Sequence, residues 1–153
     1  MFEISFWDII ITGISAGFIG MLAMGLIMFL LTKPNLPDSD IFKVLGQIFV
    51  KQADNSRITG IFVHIISGII FGIVYTYIAA TFGTEIGYIG LSMILGVFHG
   101  AVITFLLVVV VSEHHPLRRH RKTGYMVPMA TFVAHIVYGF IVGLVLNSSL
   151  QSI

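Results

Sequence analysis

Four long stretches without a charged side chain set the limits on this fold: residues 9–32, 58–84, 86–112 and 123–153, together 109 of 153 positions. Each can span a bilayer, because about 20 residues rising ~1.5 Å apiece cover the roughly 30 Å of hydrocarbon. Backbone at that depth must satisfy its own hydrogen bonds, which an α-helix does and an open strand does not. Closed-barrel strands would alternate polarity over about ten residues, and runs such as Ile103 to Val111 show no alternation. The expected fold is therefore all-α. Four transmembrane helices near 9–31, 58–80, 87–111 and 126–146 form two tandem hairpins in one domain over 1–153, with a short amphipathic interfacial helix near 39–52.

Composition narrows the function. With 57% apolar and 10% charged residues and a mean hydropathy of +1.02, the chain is far from a water-soluble domain, where about a quarter of residues are charged. A net charge of +1 offers nucleic acid no basic field. The absence of cysteine excludes disulfides, iron–sulfur clusters, thiolate zinc sites and cysteine nucleophiles, so any metal must be held by His, Met or carboxylate.

The basic residues fall in two loops. Lys33, Lys43, Lys51 and Arg57 follow the first span, and Arg118, Arg119, Arg121 and Lys122 follow the third, while Glu3, Asp8 and Glu85 lie at the other ends. The positive-inside rule then places loops 33–57 and 112–125 in the cytoplasm and both termini outside, in the cell membrane. Arg118, Arg119, Arg121 and Lys122 form a polybasic strip suited to anionic head groups, at about 1 kcal/mol per charge. Within loop 33–57, Pro34 and Pro37 stop the first helix and Asp38 or Ser39 can cap another. Ile41, Phe42, Leu45, Ile48 and Phe49 then recur at helical spacing. This amphipathic segment fits either the acyl boundary or the end of the bundle.

The spans carry a repeat. His64 to Val74 and His135 to Val145 both read His-Ile-x-x-Gly-x-Ile-x-Gly-x-Val, and Gly20 with Phe29 to Leu31 is echoed 76 positions on by Gly96 with Phe105 to Leu107. Gly13 with Gly17, Gly68 with Gly72, Gly96 with Gly100 and Gly139 with Gly143 give each span one small-x-x-x-small pair. Such pairs let backbones approach where lipid supplies no hydrophobic drive to associate.

Three of the six histidines, His64, His99 and His135, lie inside spans, where an ionisable group is costly and faces the interior or a partner. Spread over only about 9 Å of depth, they can converge as ligands for copper, zinc or a haem iron, or as a proton relay. Met21, Met24 and Met28 lie on one face of the first helix and suit Cu(I), or simply fill gaps beside glycine. Alternatively each imidazole hydrogen-bonds a backbone carbonyl, Ser67, Thr104, Thr131 or Tyr138 across a helix interface. No Gly-x-Ser-x-Gly, phosphate loop or His-Glu-x-x-His is present, and no carboxylate lies within a span, so no catalytic residues are assigned and an enzyme acting alone is not expected.

The glycine-rich Gly13 to Leu31, Pro37 to Gly46, His64 to Tyr75 and Ala134 to Gly139 resemble a family of small four-helix membrane proteins of bacteria and archaea, known as a domain of unknown function. The resemblance spans nearly the whole chain and implies a fold and no reaction; His114 to Lys122 is outside the likeness. The leading expectation is a non-catalytic accessory or structural subunit, in contact with the bilayer and other membrane subunits, as in respiratory or copper monooxygenase-type assemblies. The alternative is a histidine-based metal or haem protein, and a third is a small channel or carrier.

Since the chain lacks cysteine, topology is directly testable. Single cysteines in Arg119→Cys and Glu85→Cys should label from opposite sides of sealed vesicles with an impermeant maleimide; labelling of both from the same side would overturn the map.

Overall fold

A computed structural model describes residues 4–31, 40–50, 53–82, 86–114 and 126–150. Among the described residues, five α-helices carry the fold: α1 (Phe6–Leu31), α2 (Ile41–Phe49), α3 (Ala53–Phe82), α4 (Tyr88–Leu107) and α5 (Met126–Leu150). Segments of α1 and α3 to α5 are long and apolar enough to cross a membrane: Phe6–Leu30, Asn55–Phe82, Tyr88–Val110 and Val127–Leu150. Their outward residues, among them Phe18, Leu22, Phe29, Phe62, Ile70, Phe98 and Phe105, are large, apolar and exposed, an arrangement that suits lipid and not water.

Helix ends differ from the expected ones for local reasons. α1 begins at Phe6 because Ser5 and Asp8 cap it reciprocally: the Ser5 backbone N–H donates to Asp8 Oδ2 (3.0 Å), and the Asp8 N–H donates to Ser5 Oγ (3.2 Å). α5 runs on to Leu150 because Leu146 and Leu150 are buried and the Ser148 hydroxyl turns back onto the Val145 carbonyl (2.9 Å). α4 starts after Gly87, whose φ of +79° reverses the chain at low strain. Past Leu107, α4 continues as a π-helical turn, Val108–His114, which opens on a run of β-branched valines.

α2 packs on the bundle. Asp40 caps it by accepting from the Lys43 N–H (3.2 Å) and pairs with Arg57 Nε of α3 (3.2 Å). A Cβ on Gly46 would overlap the Ser56 carbonyl oxygen and lie 2.8 Å from Gly60 N, and one on Gly60 would lie 2.6 Å from the Phe42 carbonyl carbon. Backbones this close also explain why α3 starts at Ala53, extending toward α2 beyond the expected span.

Two glycine crossings hold the long helices. In α1 against α3, a Cβ on Gly17 would overlap the Gly68 carbonyl and come within 3.0 Å of Gly72 Cα, and one on Gly13 would sit 2.6 Å from Ile73 Cα. In α4 against α5, a Cβ on Gly96 would lie 2.7 Å from the His135 carbonyl, one on Gly100 2.9 Å from His135 Cβ, and one on Gly143 2.7 Å from Ile89 Cα. Gly139 faces the Ser92 carbonyl and Gly96.

The crossings match in register. Gly72 faces Gly13 and Gly17 as Gly143 faces Tyr88 and Ser92, and Gly68 faces Gly17 and Met21 as Gly139 faces Ser92 and Gly96. α5 thus repeats α3 at 71 positions and α4 repeats α1 at 75. The faint 76-position echo in the sequence is therefore displaced by one residue from the packing equivalence.

The seams between the halves are unlike. α1 and α5 pack closely where Gly20 receives the Tyr138 ring and Val142, each 3.0 Å from a Cβ built on Gly20, and the Tyr138 hydroxyl donates to the Gly68 carbonyl (2.6 Å). α3 and α4 touch only lightly. At the equivalent places α4 carries Leu95 for Gly20, and α3 carries Ser67 for Tyr138. This second seam thus lacks the glycine that admits the Tyr138 ring at the first.

The glycine contacts separate two outwardly similar substitutions. Gly17→Ala should destabilise by about 1–3 kcal/mol through overpacking. Gly25→Ala, whose Cβ meets only Phe42 Cζ at 3.9 Å, should change stability by less than about 1 kcal/mol. Reversible unfolding in detergent micelles measures both.

Candidate functional site: a cavity lined by imidazoles

A cavity of about 200 Å³ lies between the helices, walled by Met21, Met24 and Met28 of α1, Phe42 of α2, His64, Ser67 and Phe71 of α3, His99 of α4, and Thr131, His135 and Tyr138 of α5. It lies where the correspondence between the two halves breaks down. On the α4–α5 side His135 packs on Gly100, whereas Gly25, the equivalent of Gly100, meets only the tip of Phe42. The Phe42 ring stands 5.3 Å from the His64 ring, edge to face. α2 thus wedges an aromatic side chain near the open ends of α1 and α3.

Most polar side chains here turn onto backbone. Ser67 Oγ donates to the Val63 carbonyl (2.8 Å), Thr131 Oγ1 to the Val127 carbonyl (2.9 Å), and the Tyr138 hydroxyl to Gly68. His135 Nδ1 lies 2.7 Å from the Thr131 carbonyl. A carbonyl only accepts, so Nδ1 carries the proton and Nε2 of the neutral ring keeps its lone pair. His99 Nδ1 lies 3.3 Å from the Tyr75 hydroxyl. His64 Nε2 is buried without a hydrogen bond, although the Met21 carbonyl is near the ring. The lining is thus largely apolar with three imidazoles, of which His135 presents an acceptor nitrogen, a setting where an unpaired polar atom is costly.

The three intramembrane histidines meet this one cavity unequally. His99 and His135 have ring centroids 4.7 Å apart at 78°, while His64 is beside Phe42. Among the described residues no three His, Asp or Glu side chains are grouped to hold a metal ion. The volume suits an ion or one ring, as in the roughly 150 Å³ engineered cavity that takes benzene; a haem macrocycle is far larger. Gly13, Gly17, Gly68, Gly72, Gly96, Gly100, Gly139 and Gly143 are at the crossings, and of these Gly68 also lines the cavity. Arg118, Arg119, Arg121 and Lys122 lie outside the described residues.

The sequence pattern alone does not single out Phe42, Phe71 or Tyr75. Phe71 packs on His99 with centroids 3.8 Å apart, and Tyr75 is edge-on to it at 6.1 Å. A signal was present: His64, Ser67, Phe71 and Tyr75 recur at helical spacing on one face of α3.

Neither a curated protein nor a solved structure matches the chain. A family match covers residues 7–152, and on it the chain belongs to DUF6789, a family of unknown function.

Proposed function

We propose that this membrane protein is a non-catalytic binding subunit that holds a small, lipid-soluble ligand in the cavity lined by α1 to α5. One observation carries the reading: three imidazoles and three thioethers, scattered over four helices in sequence, line one partly open space. Ligand sites of this kind are concave and mostly apolar, with a few polar groups that fix orientation. The lone pair on His135 Nε2 selects a ligand that brings a donor. The lightly packed seam between α3 and α4 supplies a lateral route from the bilayer.

A second reading, a structural subunit of a larger membrane complex, draws on the same asymmetry. Whereas α1 and α5 are in close contact, the equivalent α3–α4 seam is not, and a helix from another chain would fit along it. Extraction in mild detergent that yields only the free chain or its homo-oligomer would overturn this second reading.

Phenol is a suitable probe for the first, being one ring with one donor. In nanodiscs it should raise Tm saturably. Ser67→Leu, which fills the cavity and sacrifices only a bond within α3, should abolish that shift. No shift in the wild type, or the same shift in Ser67→Leu, would overturn the binding reading.

A further inference from the structure

Given that the cavity is a binding site, its donor set points to a more specific occupant. We propose that His99 and His135, joined by a thioether of α1, form a site for monovalent copper. The two rings are close enough to share one ion. A metal about 2 Å from each Nε2 lies roughly 3 Å from each ring centroid, and centroids 4.7 Å apart then subtend close to a right angle at the metal. The hydrogen bond from His135 Nδ1 to the Thr131 carbonyl is the kind that orients metal-binding imidazoles and directs the other nitrogen outward. Tyr75 is placed to accept from His99 Nδ1 in the same way.

Charge and softness choose the ion. The lining contains no carboxylate and the chain has no cysteine, so every donor is neutral and the ion's charge stays uncompensated in an apolar surrounding. Ion desolvation energy grows with the square of charge, so a dication costs roughly four times as much as a monocation of equal size. Zinc also favours four ligands, and its usual donors are not grouped here. Cu(I) accepts two or three soft donors, and Met21 and Met24, both buried, offer thioether sulfur on the same wall. Binding displaces no proton, because His135 already presents a lone pair.

The test uses the full chain in nanodiscs, loaded without oxygen from a Cu(I)–bicinchoninate buffer. One equivalent of Cu(I) per chain should be retained, with both nitrogen and sulfur scatterers in its X-ray absorption. Zn(II) should not be retained from an equivalent buffer. His99→Leu should weaken retention more than about 100-fold, beyond what loss of an orienting partner does. Met21→Leu and Met24→Leu keep the volume and should, singly or together, remove the sulfur signal. Absence of Cu(I) uptake by the wild type, equal uptake of Zn(II), or uptake unchanged in a folded His99→Leu chain would overturn the proposal. If phenol still binds while Cu(I) does not, the copper site falls and the binding reading stands; if neither binds, both fall.

Discussion

Close backbone contact through glycine is the interaction on which this structure depends. In hydrocarbon, apolar side chains gain nothing from leaving lipid for one another, so helices associate through van der Waals fit, hydrogen bonds and small residues that let main chains meet. Gly17 against Gly68 and Gly72, and Gly96 against Gly139, put backbone within contact of backbone. Gly46 and Gly60 do the same for α2 and α3. With each pair fixed at its crossing, the remaining freedom lies in how the two pairs sit against each other.

That freedom is resolved differently on the two sides. Gly20 accepts the Tyr138 ring, and the Tyr138 hydroxyl reaches the Gly68 carbonyl at 2.6 Å; one bond thereby ties α5 to α3 across α1. On the other side Leu95 stands where Gly20 would, and contact is carried by Phe71 and Tyr75 against His99. The cavity and its imidazoles are the product of this mismatch together with Phe42.

Much of this was legible in the residues. Charge-free length marks out the four spans, the small-x-x-x-small spacing appears in each, and the repeated His-Ile-x-x-Gly pattern pairs α3 with α5. Less was legible where a property depends on two elements at once. Loop 33–57 has the stripe of an interfacial helix, but its docking depends on Gly46 meeting Gly60 and Ser56, and neither residue is unusual alone. The 75-position register of α1 and α4 is hidden because equivalent places hold different residues: Gly17 and Ser92, Met21 and Gly96, Met24 and His99. The histidines stand out as polar groups at depth; that His99 and His135 approach each other while His64 stays with Phe42 is a property of the packing.

Housing both halves in one polypeptide has a further effect. An assembly of two identical hairpins must build the same junction twice, so whatever seals one flank seals its mate. Covalent linkage lifts that obligation. Tyr138 latches one flank onto the Gly68 carbonyl while Ser67, its counterpart, turns back onto its own helix, and the chain obtains two unlike flanks from a single architectural unit used twice.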